Sequence, residues 1–276
     1  MSRWTIDKAT SLDFDGVVAL KVVMVSGKLS VLATGQRPSV QVTEVSGQPL
    51  KIDHNAGMLG ITHDNALWEG LRSWLGAQRC SADVTVTVPP DCPVHIDLVG
   101  ANAVITGLTA GVSIRSGTGD VTLDGVTGRI AANTVSGAVE AQRLDGTVDF
   151  TSVSGDLALA GGSLDRLTAR SVGGRIAADV DLAGTGEVQV STVTGEVTLR
   201  LPASASAQVG MNTVGGRIDS SFTGLDEAGR PMSRNVTGTL GDGAGDVTVN
   251  TVSGDITLLS RPDDDARHAG EPDVEV

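Results

Sequence analysis

Tyrosine is absent from this 276-residue chain, and tryptophan and phenylalanine occur three times each. Between residues 101 and 260 there is neither Trp nor Tyr, so that stretch lacks the large flat side chains that stack against sugar rings. Cysteine is nearly missing too. Cys80 and Cys92 flank "SADVTVTVPPD", whose alternation predicts an extended strand. A disulfide needs Cα atoms within about 7 Å, so two reduced thiols are expected. Positive charge is short: 20 Lys and Arg face 33 Asp and Glu, a formal net charge of −13, with no Lys/Arg run. Such a surface repels phosphate backbones, which excludes nucleic acid as a partner and disfavours an anionic membrane. Long apolar runs are missing as well. "VVALKVVMV" (17–25) spans nine residues around Lys21, too short to cross a bilayer. "MSRWTIDKATSLDFDG" has no apolar signal region. The expectation is a cytoplasmic chain without a transmembrane segment; peripheral membrane contact stays open.

What the chain has is glycine, 36 of them, and a 40% hydrophobic content carried by Val, Ile, Leu and Ala. Val, Ile and Thr suit a pleated, half-buried surface that glycine interrupts. The interruptions are regular. "NTVSGAVEA" (133–141) returns as "TSVSGDLAL" (151–159), "STVTGEVTL" (191–199), "NTVGGRIDS" (212–220) and "NTVSGDITL" (250–258). Gly119, Gly128, Gly137, Gly146 and Gly155 follow one another at nine residues. Between them, apolar residues alternate, as in Val121/Leu123, Val139/Ala141 and Ile256/Leu258, the signature of half-buried strands.

Short strands at a fixed period of 18–21 residues predict an all-β chain wound as a parallel β-solenoid, a β-helix of right-handed winding. A single winding cannot offset its own ordering entropy, so each needs its neighbours. Stacking predicts columns. The residues after the phrase glycines read Asp156, Arg175, Glu196, Arg217, an outward ladder of alternating charge. Thr134, Ser152, Ser171, Thr192, Thr213 and Thr251 form a hydroxyl column, also expected outward, with the phrase valines inside. The 38-residue gap from Gly216 to Gly254 predicts one degenerate winding around "NVTGTL" (235–240). The expected organisation is a tail over 1–12, irregular early windings or a cap over 13–100, the regular solenoid over 101–260, and a disordered acidic tail over 261–276. One short amphipathic helix is expected at about 65–78, with Leu71, Trp68 and Trp74 on its apolar stripe and available for partner contact.

Reactive constellations are sparse. Cys92 and His95 have the spacing of half a zinc site, which Cys80 or His63 would have to complete. "GDGAGD" (241–246) lacks the Lys-Ser/Thr of a nucleotide loop and leads into a strand. Asp156 and Glu196 are kept apart by Arg175. No catalytic, cofactor or metal site is expected.

The recurring "NTVSGDI", "TSVSGDL" and "STVTGEV", the early "VSGKLSV" (25–31), the Trp-bearing segment and "TGTLGDGAGDVTVNTVSGDITLL" (237–259) resemble a bacterial "putative adhesin" or β-strand-repeat family of unknown function, common in actinobacteria. The resemblance covers most of residues 13–260. It implies a parallel β-solenoid and supplies no catalytic residues. The function expected is a non-enzymatic scaffold or protein-binding module, monomeric or weakly self-associating. The alternatives are a self-assembling, bactofilin-like structural protein and a glycan-active enzyme on the solenoid face.

Overall fold

The alternating apolar residues form strands because each buries one face and hands its backbone hydrogen bonds to a neighbour. A computed structural model of the chain describes residues 2–63, 80–230 and 233–263, and every regular element among them is a β-strand. The inward residues named above, Val121/Leu123 through Ile256/Leu258, are all buried in one continuous hydrophobic cluster.

Each winding lays one strand into each of two stacks. In the first stack, parallel strands follow in the spatial order β7 (Met58–His63), β3 (Ala19–Met24), β9 (Val94–Leu98), β11 (Val112–Ser116), β13 (Thr127–Thr134) and β15 (Asp145–Ser152). The second halves of β16 (Leu157–Ser171) and β17 (Ile176–Thr192) continue it, then β23 (Gly245–Thr251) and β19 (Ala207–Thr213). The second stack runs parallel through β8 (Ser81–Val88), β4 (Gly27–Ala33), β10 (Asn102–Thr106), β12 (Val121–Asp124) and β14 (Val139–Gln142). It continues through the first halves of β16 and β17 to β18 (Val197–Pro202), β24 (Ile256–Arg261) and β20 (Ile218–Ser220).

The windings do not follow chain order at either end. The pair β3–β4 sits between β7/β8 and β9/β10, although it comes first in the chain. The pair β23–β24 sits between β17/β18 and β19/β20, although it comes last. Antiparallel strands then cover the outer edges. β6 (Leu50–Asn55) and β1 (Ser2–Ile6) close one end of the first stack, and β22 (Ser233–Leu240) with β21 (Leu225–Arg230) closes the other. β5 (Ser39–Ser46) and β2 (Thr10–Asp13) close the second stack beside β8. An open parallel stack invites another chain to add to it, and reversed strands end that repeat.

Three expectations are corrected here. Residues 235–240 belong to β22, an antiparallel hairpin strand, because the 38-residue gap carries a cap and not a winding. The stretch expected as a tail over 1–12 carries β1 and most of β2. Parallel stacking starts at β3 and has no break near residue 101. The helix expected at 65–78 and the acidic stretch from 264 onward lie outside the described residues.

Candidate functional site

The repeated phrase sits where each winding passes from the first stack to the second, and four residues divide the work of that turn. The hydroxyl residue ends the first-stack strand with its side chain inside. Thr134, Ser152, Ser171, Thr192, Thr251 and Thr213 are only 2–6% exposed, so this column faces the core and not the solvent. The reason is local: the hydroxyl oxygens of Ser152, Ser171, Thr192, Thr213 and Thr251 each accept the N–H of the phrase glycine three residues on, while Thr134 Oγ1 donates to Ser152 Oγ at 3.1 Å. Gly155 N donates to Ser152 Oγ at 2.7 Å, Gly174 N to Ser171 Oγ at 2.9 Å, and Gly195 N to Thr192 Oγ1 at 3.0 Å. A buried N–H is thereby satisfied within its own turn.

The phrase glycines have no positive φ; close approach selects them. A Cβ at Gly174 would stand 2.0 Å from the Gly155 carbonyl oxygen, and one at Gly195 would stand 2.1 Å from that of Gly174. The intervening Gly128 and Gly146 serve the opposite edge at φ 102° and 108°, a region L side chains avoid. Two different demands at two edges produce the nine-residue spacing.

The valine between hydroxyl and glycine is then forced outward, against expectation. Val135, Val153, Val172, Val193, Val252 and Val214 are 43–54% exposed and occupy adjacent windings in that spatial order. Turn hydrogen bonds bind the column together: Ser154 N to Val135 O, Gly173 N to Val153 O, Thr194 N to Val172 O and Ser253 N to Val193 O, each 2.9 Å. At about 4.8 Å per winding the six valines make a ridge about 24 Å long.

Beside the ridge run the charged residues. The Arg175 N–H donates to Asp156 Oδ1 at 2.7 Å, and Arg175 Nε lies 3.5 Å from Glu196 Oε2. Glu196 and Arg217 are not neighbours, because the inserted β24 places Asp255 between them. Arg217 caps that column, its N–H 2.8 Å from Asp255 Oδ1 and its Nη2 2.9 Å from Oδ2. The backbone bond from Arg217 is the leading cause of an Asp255 carboxyl held below the usual range. Asp156 and Glu196 flank Arg175 and face no shared cavity. No cluster of His, Cys, Asp and Glu among the described residues could hold a metal. Cys92 is buried while His95 lies on the outer face beside Asp97, so the two do not converge. Cys92 is a free thiol.

Trp68, Leu71 and Trp74 lie outside the described residues, but the ends of their segment are placed. His63 and Cys80 both stand at the turn edge. The Val25 N–H donates to His63 Nδ1 at 3.3 Å, and Ser26 Oγ donates to Cys80 O at 2.7 Å. In register, His63 heads the hydroxyl column through Met24, Leu98 and Ser116, a placement that no sequence signal indicated.

The outer face of the first stack also carries a trough of about 510 Å³. One column along it holds Lys21, His95, Ser113 and Ala131, and the column before it runs from Met58 through Ala19, Pro93 and Gly111 to Arg129. A concave site here runs against the uniformly ladder-like exterior that the repeat predicts.

No helix among the described residues is long and apolar enough to cross a membrane. No curated protein matches the chain. Among solved structures it is similar to "a putative cell adhesion protein from Clostridium sporogenes ATCC 15579 at 1.95 A resolution", with 13% identity over 92% of this chain and 99% of that one, at a TM-score of 0.26; a likeness of that size carries no argument. The family model for Toastrack DUF4097 matches residues 75–259. That match spans well over half of the chain, from β8 into β24, so the protein belongs to the Toastrack DUF4097 family.

Proposed function

We propose that the chain is a non-enzymatic protein-binding module, a right-handed β-solenoid whose turn edge is the docking surface. The observation that carries this reading is the valine ridge. Scattered exposed apolar residues need no explanation, but six on adjacent windings form a continuous strip bordered by charge. Each valine is dispensable for the turn itself, which rests on the hydroxyl and the glycine. The charged column beside the ridge serves as a structural ladder and gives the surface a polar rim. Trp68, Leu71 and Trp74 extend the contact, since their segment leaves and rejoins the fold at this edge. A cytoplasmic location is part of the proposal.

The partner is a protein with an apolar groove and a basic rim, matching the ridge and the chain's net charge of −13. The test is affinity capture from the source cells with the wild-type chain and with Val153→Asp/Val172→Asp, followed by binding of purified components. Both positions are solvent-facing, so the variant should unfold like the wild type. Loss of one partner by the variant, reproduced with purified proteins, is the expected result. Equal capture by both chains, or no saturable partner for either, overturns the reading. The antiparallel caps oppose end-to-end growth, so light scattering at raised concentration should find no filaments.

A further inference from the structure

The trough on the outer face of the first stack has a shape that follows from its residues. Ala19 and Gly111 in one column, and Ser113 and Ala131 in the next, are too small to fill the space above their strands. Long side chains stand around them. Met58, half exposed, rises at the β7 side, and Arg129 rises at the β13 side. Four strand spacings separate them, about 19 Å. Lys21 and His95 form the upper wall, side by side on β3 and β9.

The charges of this lining are all of one kind. Its titratable residues are Lys21, His95 and Arg129, and no carboxylate lines the cavity, in a chain of net charge −13. Two of the three are held by a carboxylate on the same outer face. His95 Nε2 lies 3.1 Å from Asp97 Oδ2, and Arg129 Nη2 donates to Asp149 Oδ2 at 3.1 Å. Asp97 orients the His95 ring, and Asp149 orients Arg129 and balances its charge. Lys21 has no carboxylate within ion-pair distance among the described residues, and Ser113 Oγ stands two strands away across His95. The site therefore offers one uncompensated cation, a hydroxyl, an imidazole nitrogen and an apolar floor. Pockets of this size with a few polar groups over an apolar lining are typical of small-molecule sites.

We infer that this trough binds a small organic monoanion, a carboxylate on an aliphatic or aromatic body. The carboxylate pairs with Lys21 and accepts from Ser113 Oγ, while the body lies over Ala19 and Pro93 against Met58. One unpaired positive charge matches one negative charge; a phosphate dianion would add an uncompensated charge to an already anionic protein. The site shares no residue with the valine ridge, so the two readings fail independently.

The experiment is calorimetric titration of the full chain with octanoate and, separately, with octanol. Octanoate should bind one to one. Lys21→Met, which keeps the length of an exposed side chain, should weaken it about tenfold, the worth of one charge-assisted contact. Ser113→Trp, which fills the trough from a solvent-facing position, should abolish binding. Octanol should bind at least about tenfold more weakly than octanoate. Thermal unfolding of each variant verifies that it is folded, and Ala131→Trp replaces Ser113→Trp if the latter is not. No octanoate binding at millimolar concentration, equal affinity in Lys21→Met, or equal affinity for octanol overturns the inference. Partner capture through the ridge should be unchanged by Ser113→Trp, and 4-phenylbutyrate in place of octanoate distinguishes an aromatic from an aliphatic preference within the same class.

Discussion

Gly174→Ala tests the stacking of the turns directly. The new Cβ would stand 2.0 Å from Gly155 O, 2.7 Å from Gly155 C and 3.1 Å from Ser171 Oγ. The first two atoms are backbone of the preceding winding, so no side chain can swing aside. Ordinary contact requires the two windings to part by more than about 1 Å at this edge. The bonds that cross the same gap are Gly173 N to Val153 O at 2.9 Å, Leu157 N to Arg175 O at 2.9 Å and Arg175 N to Asp156 Oδ1 at 2.7 Å. Weakening three such bonds at about 1 kcal/mol each gives a loss near 3 kcal/mol, in the range that overpacking costs elsewhere. Gly210→Ala is the control: nothing lies within 4 Å of its added Cβ and its φ is ordinary. Glycine weakens a strand interior, so that change should be neutral or stabilising by up to about 1 kcal/mol. The assay is urea unfolding followed by far-UV circular dichroism, with the slopes compared so that a changed unfolded state is recognised. If the two variants differ by less than about 0.5 kcal/mol, contact between windings is not what selects the phrase glycine.

Further outcomes follow from the same turns and from the buried titratable groups. Thr192→Val leaves the Gly195 N–H without its acceptor and should cost about 1–3 kcal/mol in urea unfolding, while Thr192→Ser, which keeps the oxygen, should cost little. Burial lowers the pKa of His63, so the folded chain refuses a proton that the unfolded chain takes up at about pH 6.5. Stability should accordingly be level above about pH 7 and fall as the pH drops below 6.5 towards the folded pKa, by at most about 1.4 kcal/mol per pH unit. Urea titrations at a series of pH values should show that fall reduced in His63→Met, a residue type its neighbour Met24 already places in this column. Burial, with a smaller contribution from Asp91, pushes the Cys92 thiol up to about 11. Peptide mass spectrometry after iodoacetamide at pH 8 should find Cys92 largely unmodified in the folded chain and alkylated in urea.

The charged column illustrates how far pattern alone reaches. Asp156, Arg175 and Glu196 occupy consecutive windings, as an 18–21 residue period implies. Arg217 is displaced by one winding because its neighbour Asp255 arrives from 38 residues further along the chain. Nearly identical phrases make any winding an acceptable neighbour for any other. Their spatial order is therefore not readable from the phrases and is seen only in the strand pairings.

Within a strand, which face a residue takes depends only on its parity with its neighbours, and that is written in the chain: the alternating Val, Ile and Leu residues lie in the core as their spacing requires. Parity ends where the strand ends. The hydroxyl turned inward and the valine outward because a buried glycine N–H needed an acceptor, and that need exists only once the turn is folded. The trough depends on folding still more fully, since Lys21, Met58, His95, Ser113 and Arg129 come from five strands that are neighbours in space but not in sequence. The sequence by itself determined the strands, their period and their buried faces; the tertiary structure decided the order of the windings and which residues meet on the surface, because both depend on contacts between segments far apart in the chain.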